Sequence, residues 1–81
     1  MGKKKWQLVL LDDDVNSFED VIDSLCEVLG HNIYQAEQCA MLVHNNGQCV
    51  IHSGDEDDLK FYKNILTEDG LNVTIKKETD K

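Results

Sequence analysis

Apolar positions along the chain fall into two spacings, one of strands and one of helices. Trp6 and Leu8-Val9-Leu10-Leu11 form a compact apolar run that reads as a buried strand. Asp12-Asp13-Asp14 breaks the run. Phe18, Val21, Ile22, Leu25, Val28 and Leu29 then recur at helical spacing. Asn16 or Ser17 supplies the N-cap, with Glu19 or Asp20 as capping-box partner, and Gly30 ends the helix. Asn32 caps a second helix, with Gln35 at the matching position. Ile33, Ala36, Ala40 and Val43 share one face of it, joined by Cys39, and Asn45-Asn46-Gly47 closes it in a turn. Residues 48–52 read as a short strand carrying Cys49, Val50 and Ile51. Ser53-Gly54-Asp55 opens a third helix with an acidic first turn, where carboxylates suit the helix dipole. Leu59, Tyr62, Ile65 and Leu66 are its apolar stripe, and Gly70 ends it. Leu71, Val73 and Ile75 alternate with Asn72, Thr74 and Lys76, a half-exposed strand. The order βααβαβ predicts an α+β two-layer sandwich, a three-stranded antiparallel sheet with three helices on one face.

At 81 residues the chain has room for one domain with a modest core. Residues 6–77 are that domain, 1–5 a basic N-terminal tail and 78–81 a frayed C-terminus. A deep, water-free active site does not fit beside such a core, so ligands are expected in a shallow pocket. Charge narrows the partners. Asp and Glu number 16 against 8 lysines, there is no arginine, and the net charge is −8. Phosphate binding needs a basic face, so nucleic acid is an unsuitable partner, as is an acidic membrane surface. A cationic ligand or a basic protein patch fits better. No apolar run approaches the ~18 residues of a membrane span. The stretch after Met1-Gly2-Lys3-Lys4-Lys5 is too short for a signal peptide. The expectation is a cytoplasmic monomer.

The acidic triplet between strand and helix is the most unusual feature. Adjacent carboxylates repel, so the cluster costs stability unless a cation or hydrogen-bond donors offset it. The plain alternative is that turns and helix N-termini favour Asp anyway. A calcium loop fails on detail. Asp12, Asp14 and Asn16 match three ligand positions of an EF-hand, but Ser17 replaces the required Gly and Asp23 the bidentate Glu. No metal or cofactor is expected. An enzyme would need Asp14 with His44 as a base pair, or Cys39 or Cys49 with His44 as a nucleophile pair. No local motif supports either, and both cysteines fall on predicted core positions. Cys26, Cys39 and Cys49 read as buried free thiols, and His44 as a complement to a helix C-terminus. His31 and His52 read as surface or edge residues. A binding module is expected, not an enzyme.

The stretches Leu8-Val9-Leu10-Leu11-Asp12-Asp13-Asp14, Phe18-Glu19-Asp20-Val21-Ile22, and Ala36 through Met41-Leu42-Val43-His44-Asn45-Asn46-Gly47 resemble the ClpS adaptor family. The family pattern is an apolar strand ending in Asn-Asp-Asp, a helix with a bulky apolar residue and Val, and a Val-His-x-x-Gly segment. The resemblance covers residues 6–77. It is specific in the acidic turn and around His44, and loose in the third helix.

The resemblance implies an adaptor that binds N-terminal degradation signals (N-degrons) and passes those substrates to a Clp ATPase of the ClpA or ClpC kind. Asp12, Asp14 and His44 would hold the substrate's free α-amino group. Asp13 and Asn16 would lie along the peptide backbone. Phe18, Val21, Ala40 and Val43 would line the side-chain pocket, and Leu71 would close it. The chain departs from the family in having Asp12 for Asn, Phe18 for a gatekeeping Met and Ala40 for a pocket Met. The last two imply a pocket enlarged on one wall and narrowed at its entrance, which favours aromatic first residues over Leu. The third helix reads as about one turn shorter than the family's, and the tail before the first strand as short, which implies altered delivery. A competing reading keeps the fold without a working pocket, as a protein–protein interaction domain. The C-terminal domain of the ribosomal stalk protein is an example.

Overall fold

The computed structural model describes residues 5–12 and 17–77. The expectations for the 1–4 stretch of the tail, for Asp13, Asp14 and Asn16, and for 78–81 lie outside the described residues. The elements run β1 (Trp6–Leu11), α1 (Phe18–Leu29), α2 (Ile33–Asn46), β2 (Gln48–Gly54), α3 (Glu56–Glu68) and β3 (Val73–Lys77). The sheet order is β2-β1-β3, with both pairings antiparallel. The α+β sandwich in the order βααβαβ is the fold the pattern predicts.

β1 is the central strand, which explains its near-continuous apolar sequence. Leu8 and Leu10 face the helices and join a core with Leu25, Ala36, Val43, Ile51, Leu59 and Leu66. Val9 alternates to the opposite face. It is buried there, flanked by its cross-strand partners Val50 and Thr74. Burying a leucine side chain contributes about 1.5–3 kcal/mol, so the fully buried Leu8, Leu10, Leu25, Leu59 and Leu66 dominate the stability of a domain this small.

Local sequence signals set most boundaries. Ser17 caps α1, its hydroxyl accepting from the Asp20 N–H at 3.1 Å. Asn32 and Gln35 form a full capping box on α2: the Gln35 N–H donates to Asn32 Oδ1 at 2.7 Å, and the Asn32 N–H donates back to Gln35 Oε1 at 3.4 Å. Gly30 and Gly47 close these helices with φ of 74° and 92°, in the left-handed region.

Four expectations need correction. β2 continues through Ser53 and Gly54, because Gln7 and Trp6 of β1 pair with them across the sheet. Only Asp55 is left to precede α3, and its side chain makes no capping hydrogen bond. A register shift between Leu8 and Val9 leaves Ile51 as an extra residue on β2, a β-bulge. β3 starts at Val73 and not at Leu71, whose N–H instead donates to the Leu66 carbonyl at the end of α3. Ile33, placed by spacing on the buried face of α2, is 64% exposed in the helix's first turn, where no other layer covers it.

Candidate functional site

One hydrogen bond organises the acidic end of β1. The Asp12 N–H donates to the Gly47 carbonyl at 3.0 Å, and the preceding Leu11 N–H donates to the Asn72 carbonyl at 2.8 Å. Gly47 is the C-cap of α2 and lies three residues beyond His44. The end of the central strand is thus tied to the end of α2, and an exposed carboxylate and an exposed imidazole belong to one rim. The left-handed Gly47 and the end of the apolar run of β1 meet at this junction.

Beneath the rim is a cavity of about 240 Å³. Leu10, Leu11 and Asp12 contribute from the end of β1, and Ser17, Phe18 and Val21 from the start of α1. Ala40, Val43 and His44 contribute from the last turns of α2. Typical drug-sized pockets are ~300–1,000 Å³, so this cavity suits one amino-acid side chain better than a larger molecule. Phe18 is 44% exposed although it opens the apolar face of α1. It stands edge-on to His44, with ring centroids 6.2 Å apart and planes at 84°. Phe18 therefore faces the cavity and not the core.

Of the residues singled out in the sequence, Asp12, Phe18, Val21, Ala40, Val43 and His44 come together around this cavity. Asp13, Asp14 and Asn16 lie outside the described residues. Leu71, expected to close the pocket, does not line it. It is 4% exposed and packs in the core, held by its N–H bond to Leu66 on the α3 side of the domain. Leu10, Leu11 and Ser17 line the cavity and were not singled out. The first two read as strand core and the third as a helix cap. Their position in the sequence on either side of Asp12-Asp13-Asp14 was the available signal.

The cavity supports binding better than catalysis. Neither cysteine proposed as a partner of His44 lines it. The Cys49 thiol instead donates to Cys39 Sγ at 3.0 Å, inside the domain. Burial, then that hydrogen bond, then the Cys39 charge push the Cys49 thiol up to about 12, so it rests protonated beside Cys39 and is not activated by His44. Among the described residues, no group of three or more His, Cys, Asp or Glu is placed to hold a metal ion. A second cavity of about 340 Å³ lies between α3 and β3, lined in part by Trp6, Glu56, Lys60 and Lys63. Its two lysines make it a poorer cation site than the rim of Asp12 and His44.

Residues 1–74 match the model of the family described as "ATP-dependent Clp protease adaptor protein ClpS". The chain belongs to the ClpS family. ClpS proteins are adaptors of a protease and not the protease itself. Over 75 residues the chain is 28% identical to the ATP-dependent Clp protease adapter protein ClpS of Nocardia farcinica, covering 93% of this chain and 71% of that protein. A solved ClpS2 structure from Agrobacterium tumefaciens, bound to L-phenylalaninamide, superposes with a TM-score of 0.81 at 25% identity. That match covers 93% of this chain and 98% of the ClpS2 chain. Among the described residues, no helix is long and apolar enough to cross a membrane.

Proposed function

We propose that this ClpS protein binds the free α-amino group and the bulky hydrophobic first side chain of its substrates, and delivers them to a Clp ATPase of the ClpA or ClpC kind in the cytoplasm. The observation that carries this reading is the single-side-chain cavity with Asp12 and His44 on its rim. The Agrobacterium ClpS2 ligand supports it. L-phenylalaninamide combines a free α-amino group, a benzyl side chain and an amide where a peptide would continue.

An α-ammonium is a compact cation with three N–H donors. The Asp12 carboxylate and the His44 imidazole accept two of them, and Asp14 takes the third. Asp13 and Asn16 contact the peptide backbone that follows. Charge-assisted hydrogen bonds contribute about 1.5–3 kcal/mol each, less where water screens them, as it does at the exposed Asp12. Burying a Phe side chain against Val21, Ala40 and Val43 adds about 1.5–3 kcal/mol. Ordering the peptide subtracts from this sum. Micromolar affinity, about 8 kcal/mol, is consistent with it. Phe18 stands at the entrance and Ala40 leaves room behind it, an arrangement that favours flat aromatic first residues over Leu.

Calorimetric titration with two short peptides tests the reading. One begins with Phe; the other carries a Gly ahead of the same Phe. Both have a free amine and the same aromatic ring, but only the first presents them on one residue. We expect the added Gly to weaken binding at least tenfold. Equal affinities would overturn the proposal in favour of a fold retained without the pocket. A Leu-first peptide in the same series that bound as well as the Phe-first one would remove the aromatic preference alone.

A further inference from the structure

The three cysteines are free thiols, and two of them meet. Cys39 lies on the inner face of α2 and Cys49 on the inner face of β2, and their sulfurs are 3.0 Å apart. That is shorter than simple contact between two sulfur atoms and about 1 Å from the length of a disulfide bond. The two positions are ten residues apart in sequence, on consecutive elements joined by the Gly47 turn. Cys26, on α1, has no such partner among the described residues. Nothing in the binding site uses this pair.

We infer that Cys39 and Cys49 are a reversible redox pair, which low-molecular-weight disulfides such as oxidised glutathione convert into a bond fastening α2 to β2. Cys39 is the half-buried member, and Cys49 is buried. The outer thiol therefore meets the oxidant first. The Cys39 thiolate attacks one sulfur of the small disulfide and expels the other as a thiol, leaving a mixed disulfide on Cys39. Cys49 then gives up its proton, attacks the Cys39 sulfur and expels the second small thiol. Two protein thiols and one small disulfide become one protein disulfide and two small thiols, which balances the exchange. Of the three influences holding Cys49 protonated, the Cys39 charge is lost once Cys39 is capped, which eases the second step. Strand pairing sets Cys49 opposite Leu10, and Cys39 precedes Ala40 in α2, so the bond forms directly behind the cavity wall.

The test is a redox titration of the full chain at graded ratios of reduced to oxidised glutathione, quenched by thiol alkylation and read by intact mass and peptide mapping. The expected product has lost two hydrogens, retains one alkylatable thiol at Cys26, contains a Cys39–Cys49 linked peptide, and reverts with a dithiol reductant. Cys26→Ser should give the same linkage. Cys49→Ala should stop at a glutathione adduct on Cys39. Should Cys49→Ala fail to fold, the wild type and Cys26→Ser carry the test by themselves. The linked protein should melt roughly 5–15 °C higher than the reduced one, as expected for closing a short loop in native geometry. Three alkylatable thiols at every ratio, glutathione adducts that never resolve in the wild type, linkage through Cys26, or a lower melting point after linkage would each overturn the inference.

Discussion

Under the proposed function, Asp12 and Ala40 would act on a substrate in different ways. Asp12 supplies charge at an exposed rim, where water weakens each contact and geometry decides its value. Ala40 is 4% exposed and supplies absence, since its small side chain leaves space in the cavity wall. The substitution Ala40→Met restores the residue type that the family pattern places there and fills part of the cavity. It should lower affinity for a Phe-first peptide about tenfold, a cost of about 1.4 kcal/mol. The melting temperature should hold or rise, because filling a cavity commonly stabilises. Calorimetry and a thermal melt on the same sample read both. Undiminished Phe affinity with Met in place would show that the side chain goes elsewhere. Most of the cavity's residues were legible in the sequence because they follow an acidic triplet at helical spacing. Leu10 and Leu11 were not, since an apolar residue at a strand end looks the same whether it supports a core or floors a pocket. Leu71 was misplaced for the converse reason. Its position in an alternating pattern gave a face but not what that face meets.

At the scale of elements, the junction between β1 and α2 sets Asp12 beside the end of the helix that carries His44. Gly47 ends α2 in the left-handed region, and its carbonyl holds the Asp12 N–H. Gly30 ends α1 in similar backbone geometry away from the cavity lining. An added Cβ meets nothing within 4 Å at either position, so substitution by Ala costs backbone strain alone, about 1 kcal/mol. The two variants should therefore lose similar stability, roughly 4–8 °C in melting temperature. Only Gly47→Ala should also weaken peptide binding, because only there does relaxation move Asp12 relative to His44. Equal affinity in both variants, measured well below their melting points, would show that the junction does not hold the rim. Helix boundaries were the most legible part of this chain. Ser17, Asn32, Gln35, Gly30 and Gly47 act through contacts within a few residues, so local sequence contains the whole cause. The end of β2 was not legible, because Ser53 and Gly54 favour turns locally and are held in the strand by Trp6 and Gln7, far away in sequence.

For the whole molecule, charge and fold point the same way. A net charge of −8 favours cationic partners in general. The fold concentrates this preference by setting Asp12 at the end of its central strand, on the rim of an apolar cavity. Composition argued against nucleic acid at the outset, but it could not locate the site, since 16 acidic residues are spread over the chain and only the fold brings Asp12 next to the end of α2. Under the proposed function, a free amine held at that rim would distinguish a chain end from any internal segment. The most direct measurement is a titration of this protein with a Phe-first peptide and with its N-acetylated twin, which keeps the ring and removes the ammonium. Acetylation should weaken binding by about two orders of magnitude, the equivalent of roughly 2.8 kcal/mol from the lost charge-assisted hydrogen bonds. Equal binding of the two peptides, or of neither, would contradict the claim.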